Sequence, residues 1–243
     1  SGPLREEGLA QGYTLFDAPP DISGRYSVLT PLALLPLAAG GLDIQALLQG
    51  AEQAAAALGK EGMATNPSWQ YAVAVHHAQQ ALGKSVELLA VTEPAMMGLA
   101  RWLQQLFAES EGKGGRGVFP VPVLYSHDLH SLNQFFCAGA PLFFETLIYP
   151  EQSPPGLDLG GFFPEYTRLN QALEETLAES HGCRMPLNRL ALRGLDEESL
   201  GYACYFFMKA AALRALLLGA DPFSQPAVDA CKLSLLQKLG AES

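Results

Sequence analysis

The acidic, basic and amide side chains with the best claim to chemistry lie in four separate stretches of the chain. Glu109 sits in Gln105-Leu106-Phe107-Ala108-Glu109-Ser110-Glu111-Gly112-Lys113, at the C-terminal end of a helical pattern. A carboxylate there meets the negative end of the helix dipole, which favours its protonated form if the site is also partly buried and suits it to act as a general base. A solvated surface glutamate is the plain alternative. Arg25 stands in Ser23-Gly24-Arg25-Tyr26-Ser27-Val28, after Asp21. Its guanidinium offers a fixed fork of donors to an oxyanion or phosphate, and the neighbouring glycine lets backbone or ligand approach; a salt bridge to Asp21 is the competing use. His130 belongs to Ser126-His127-Asp128-Leu129-His130-Ser131, directly after an apolar run. His127 and His130 have the spacing of metal ligands but lack a third, so a proton-shuttling imidazole is the better reading of His130. Finally, Gln225 precedes Pro226 at the start of a last helix, and Lys232 follows two turns later, so the two can face one site or serve as a cap and a surface residue. His76 and His77 are adjacent on one helix, point apart and belong to its surface or the edge of the core.

The elements that position these residues are legible in the periodicity. Residues 42–58 and 68–82 carry apolar side chains at helical spacing and are closed by Gly59 and Gly83. Residues 85–91, 118–125 and 142–149 are short apolar runs that read as strands. A helix that Pro94 starts or precedes, passing through Trp102 and Leu106, separates the first two, and a helical segment around 129–137 separates the second from the third. Helices alternating with buried strands imply an α/β sandwich with a mainly parallel sheet. In such folds ligands gather at the loops that follow strands. Residues 150–161 are rich in Pro, Gly and Asp and read as a loop, and beyond them only helices are expected.

Composition narrows the function. With 243 residues, 49% of them hydrophobic, the chain can bury a large core. A net charge of −10 argues against binding a nucleic-acid backbone. The apolar stretch 200–220 contains Lys209 and Arg214, which fits a buried helix of a soluble protein better than a membrane span. Cys137, Cys183, Cys204 and Cys231 form no close pair, so neither a disulfide framework nor a metal motif is indicated, and a reducing cytoplasm fits best. No secretory signal pattern opens the chain; Ser1-Gly2-Pro3 has the look of a construction scar or a processing boundary.

Taken together and in order, Ser23-Gly24-Arg25-Tyr26-Ser27-Val28-Leu29-Thr30, Glu109-Ser110-Glu111-Gly112-Lys113, Asp128-Leu129-His130-Ser131 and Asp221-Pro222-Phe223-Ser224-Gln225-Pro226 resemble the motif series of the glucose-6-phosphate isomerase family, over nearly the whole chain. The resemblance implies three-layer sugar-isomerase (SIS) lobes that interconvert glucose 6-phosphate and fructose 6-phosphate through an enediolate, with no metal or organic cofactor. It implies that Glu109 is the base, that Arg25 stabilises the enediolate and binds substrate, that His130 and Lys232 assist ring opening, and that Gln225 lines the sugar-phosphate pocket. It also implies a homodimer in which the partner copy donates the histidine.

By the same resemblance, residues 1–45 are the end of a first SIS lobe with the connecting Arg25 motif, residues 46–195 a second SIS lobe, and residues 196–243 a C-terminal helical segment. The family carries a Ser/Thr-rich phosphate loop in its first lobe, upstream of the Arg25 motif. The expectation is therefore a C-terminal fragment whose isolated activity is weak or absent until an N-terminal lobe joins it. A non-catalytic module that binds a sugar phosphate is the alternative, and the joint presence of Glu109, Arg25, His130, Gln225 and Lys232 weighs against it.

Overall fold

The computed structural model of the chain describes residues 2–59, 62–151, 166–182 and 184–240. The chain opens with α1 (Pro3–Ala10), a 3₁₀ turn at Gly24–Leu29 and α2 (Pro31–Ala39), and continues into α3 (Ile44–Leu58) and α4 (Pro67–Gln80). Asp43 caps α3 by accepting from the backbone N–H groups of Gln45 and Ala46, and Asn66 caps α4 through Ser68. Gly83 ends the α4 segment with φ +64°, a conformation that favours glycine. The expected strands follow as β1 (Val86–Val91), β2 (Phe119–Leu124) and β3 (Phe143–Pro150), with α5 (Met97–Glu111) and α6 (Tyr125–Ala138) between them. After α7 (Tyr166–Gly182) come β4 (Leu187–Leu192), α8 (Glu197–Leu217) and α9 (Pro226–Lys238).

The strands pair in parallel in the order β2-β1-β3-β4. Pro120 and Pro122 lack the N–H that an inner strand must donate, and β2 accordingly sits at an edge. Because side chains alternate across a strand, Leu89, Val91, Phe144 and Ile148 face a layer built by α3, α4, α5 and α8. Leu88, Ala90 and Leu147 face the other layer, where they meet Tyr125 of α6 and Leu177 of α7. The fold is thus an α/β sandwich around a parallel sheet, as the periodicity implies, in the three layers that the family resemblance implies.

Two expectations need revision. The region beyond residue 161 is not wholly helical, because Leu187-Asn188-Arg189-Leu190-Ala191-Leu192 forms β4. Its composition also suits a helix, and pairing with β3 decides the matter: Leu187 then packs toward α7 while Leu190 and Leu192 pack toward α8. The expected loop at 150–161 begins one residue late, since Pro150 still belongs to β3; residues 152–161 lie outside the described residues.

Helix α8 has the length and apolar composition to cross a membrane, yet it is the central core helix of this fold. It crosses α3 at small residues: a Cβ on Gly201 would lie 1.8 Å from the Leu47 carbonyl oxygen, and one on Gly50 as close to that of Glu198. Arg214 near its end is buried between Glu87 (Nη2 to Oε2, 2.6 Å) and Glu111 (Nε to Oε1, 2.6 Å), with its guanidinium 4.0 Å above the Phe107 ring. Lys209 is spent on the Leu58 carbonyl at the end of α3.

Glu111 shares one guanidinium with Glu87, and burial pushes its carboxyl up to about 7, against the lowering pull of Arg214. A pKa raised in the folded state means that the folded chain binds more protons than the unfolded chain between about pH 4.5 and about 7. Stability from this group is therefore full below the lower value and lost as pH rises through the upper, by about 3 kcal/mol at 1.36 kcal/mol per pKa unit. Urea melts at pH 5 and pH 8 should show that loss, and Glu111→Gln should flatten it. Equal pH dependence in the parent and the variant would place the titration elsewhere.

Candidate functional site

Crossover α5 runs back from the end of β1 to the start of β2, so its last turn lies at the edge of the sheet where the strands begin. The 3₁₀ turn Gly24–Leu29 and the N-terminus of α9 come to the same corner. Arg25, buried from the 3₁₀ turn, joins them. Its Nη1 donates to Glu109 Oε2 (3.1 Å) and to Gln225 Oε1 (2.8 Å), its Nε to Ser110 Oγ (3.2 Å), and its Nη2 to the carbonyls of Pro222 (2.6 Å) and Ser224 (3.1 Å). A guanidinium has five N–H groups, and here every one is engaged. The cation therefore gathers three stretches that are 84 and 200 residues apart in sequence. The salt bridge to Asp21 is not formed. Nor does Gly24 admit a close approach of this chain's own backbone, since a Cβ there would meet nothing within 4 Å.

Glu109 is the part of this cluster open to solvent, its side chain 23% exposed against 0% for Arg25. Its Oε1 accepts from Gln105 Nε2 (3.1 Å), one turn earlier on α5, while Arg25 holds Oε2. Both oxygens are thus oriented, which a base that must meet a particular C–H bond requires. Beside it a pocket of about 300 Å³ is lined by Ala108, Glu109, Gly112, Lys113, Gln225 and Ala227. Lys113 Nζ donates to the Ser110 carbonyl (3.0 Å) and to that of Asp221, fastening the end of α5 to the loop that leads to Gln225. Desolvation, and then the charge of Arg25, lower the pKa of Lys113.

Sequence reasoning passed over the supports. Trp102 Nε1 donates to the Arg25 carbonyl (3.1 Å), and Tyr26 and Ser110 hydroxyls lie 3.0 Å apart. The available signal for Trp102 was its position two turns before Glu109 on one face of α5.

His130 and Lys232 are not brought into this cluster. Both are exposed, and among the described residues neither forms a hydrogen bond or ion pair with Arg25, Glu109 or Gln225. Glu109 lies on the layer of α5 and His130 on the layer of α6, with the sheet between them. His127 Nδ1 pairs with Asp128 Oδ1 (2.7 Å), and Asp128 Oδ2 accepts from the Leu124 N–H at the start of α6. Gln225 holds the N-cap position of α9 with its side chain turned to Arg25, while Lys232 points to solvent from a helix with no buried residue. Among the described residues no group of His, Cys, Asp and Glu side chains could hold a metal ion.

No protein-family model matches the chain. A glucose-6-phosphate isomerase of Symbiobacterium thermophilum is 42% identical over 251 residues, covering 98% of this chain and 56% of that protein. One from Clostridioides difficile is 38% identical over 253 residues, with the same coverage of 98% and 56%. The chain thus spans little more than half the length of the curated relatives it matches. Among solved structures, a hypothetical protein from Thermus thermophilus superposes with a TM-score of 0.90 at 26% identity, over 98% of this chain and 60% of its own. A glucose-6-phosphate isomerase from Chlamydia trachomatis shares the fold, with a TM-score of 0.77 at 18% identity over 98% of this chain and 55% of its own.

Proposed function

We propose, from the premise that this chain is related to the glucose-6-phosphate isomerases along 98% of its length, that it carries the proton-transfer half of an aldose-ketose isomerase acting on hexose 6-phosphates. The observation that carries the reading is the Arg25 guanidinium bonded at once to Glu109 and Gln225, which joins a solvent-facing carboxylate to a fixed positive charge beside a pocket. In the forward direction the Glu109 carboxylate takes the proton from C2 of the open-chain aldose. The C2–H electron pair becomes the C1–C2 double bond, and the carbonyl oxygen gains the negative charge of the enediolate. The C2 hydroxyl proton passes to the C1 oxygen, and the same carboxyl then returns the abstracted proton to C1 as the C2 oxygen becomes the ketone. A placed base supplies about 10² to 10⁴ in rate. The remainder falls to charge stabilisation, which Arg25 provides by its field, because its own donors are committed to protein groups.

Ring opening needs a proton donor at the ring oxygen. His130 and Lys232 have the right chemistry, but His130 lies across the sheet from Glu109 within one chain. We therefore infer a homodimer in which His130 of one copy serves Glu109 of the other, an arrangement natural to a two-fold interface. On this reading the layers around the parallel sheet form an SIS lobe, the substrate is a sugar phosphate, no cofactor takes part, and the free thiols of Cys137, Cys204 and Cys231 suit the cytoplasm.

A coupled assay with fructose 6-phosphate tests the proposal, on the chain alone and on a chimaera in which it replaces the matching segment of the Symbiobacterium thermophilum relative. Glucose 6-phosphate formation by either supports an isomerase. If neither turns over while the parent relative does, the catalytic reading is wrong, and saturable binding of fructose 6-phosphate without turnover would mark a binding module instead.

A further inference from the structure

Helix α6 buries little of itself. Tyr125 is its one buried residue, at its first position, while Leu129 and Phe136 are only partly covered. Near its C-terminal end Phe135 and Phe136 meet the edge of the Phe143 ring on β3, with centroids 5.8 and 5.2 Å apart. A polar chain holds the middle of the helix. His181 on α7 is fully buried; its Nδ1 lies 2.5 Å from Glu145 Oε2 on β3, and its Nε2 lies 2.6 Å from Asn133 Oδ1 on α6. Tyr125 donates its hydroxyl to the same Glu145 oxygen at 3.2 Å, and burial raises the pKa of that hydroxyl, keeping the proton in place. Thus the first residue of α6, Tyr125, and its middle, Asn133, are tied to a single buried carboxylate, the former directly and the latter through His181. Hydrogen bonds in such surroundings are directional and costly to break, so they fix an orientation that apolar contacts do not.

Asn133 lies three residues beyond His130, less than one helical turn, so a rotation of α6 that strains the His181–Asn133 bond also swings His130. We propose that Glu145, His181 and Asn133 form a positioning relay that sets the direction in which α6 presents His130 to the second subunit. The inference rests on the reading of His130 as a site residue. None of the three relay residues touches the Arg25 cluster, and they act through His130 alone.

The test is a double-mutant cycle on whichever of the chain and the chimaera turns over fructose 6-phosphate. Asn133→Ala is one variant. The paired change Glu145→Gln with His181→Gln is the other, chosen so that no unpaired carboxylate is left buried. Each should lower turnover about tenfold in the parent background and within twofold of nothing in the His130→Ala background, because residues that act through one another are not additive. Equal losses in both backgrounds would overturn the relay and leave a merely structural network. If His130→Ala itself had no effect, the site reading would fail first, and the two failures are therefore distinct. Amide hydrogen exchange on the chain gives a second readout that needs no activity: the relay variants should speed exchange in α6 about tenfold or more while β1 and α5 keep their protection. Unchanged protection of α6 would also overturn the proposal.

Discussion

Glu109→Gln and His130→Ala should each abolish most turnover, by about 10² to 10⁴-fold for the lost base, and yet a co-expressed mixture of the two should recover activity. On the proposed shared-site homodimer, half of the dimers in a random 1:1 mixture contain one copy of each variant, and each such dimer would rebuild one of its two sites from the intact Glu109 of one chain and the intact His130 of the other. The expected recovery is about a quarter of the parental rate. The expectation comes from the sheet: α5 and α6 cover its opposite faces, so the two side chains belong to different surfaces of one molecule. Glu109→Gln should keep the hydrogen bond from Arg25, since its one amide oxygen still accepts, while its NH2 group replaces the oxygen that accepted from Gln105; it should therefore remove proton exchange at C2 without removing sugar-phosphate binding. A mixture no more active than the separate variants, with dimers demonstrably mixed, would show that each chain completes its own site.

Arg25→Lys should be nearly as damaging as Arg25→Ala, against the habit of treating the two cations as alike. An ammonium has three donors on one atom and cannot reach Glu109, Ser110, Gln225, Pro222 and Ser224 together, as the planar fork does. Several acceptors in a buried corner would then lose their partners. Removing one member of a buried charged network costs about 3 to 5 kcal/mol, which for a chain of this size lowers Tm by about 6 to 20 °C. Calorimetry on the variant measures the stability loss, and the isomerase assay should show kcat falling with it, because the carboxylate is no longer held. A lysine variant within about 1 kcal/mol of the parent would mean that Arg25 contributes charge alone and that the fork geometry is incidental.

Much of the fold was written in local patterns. Helical spacing and caps placed α3 and α4, short apolar runs placed β1, β2 and β3, and the alternation of the two pointed to a parallel sheet between helical layers. Strand β4 escaped because six residues mixing Leu and Ala with Asn and Arg carry no period that separates a half-buried edge strand from a helix; the neighbouring β3 backbone decides it. Among the chemical residues, the positions of Glu109 near the end of α5 and of Gln225 at the head of α9 were legible from helix ends, whereas their roles came from the family resemblance.

What the sequence by itself determined, then, is what depends on near neighbours: which segments coil, which extend, and which residue types have the chemistry for proton transfer. Tertiary structure alone decided the partners. Arg25 stands four residues from Asp21 and 84 from Glu109, and it pairs with the distant one, because the turn that carries it is buried against α5 and the Asp221–Gln225 loop. The same holds for Glu145 on β3 and His181 on the helix that covers that face of the sheet, and for the separation of His130 from the base. The physical reason is that local propensities act over a few residues of backbone, whereas a buried guanidinium or imidazole must satisfy all of its donors wherever the packed layers leave acceptors, however far away in the chain these lie.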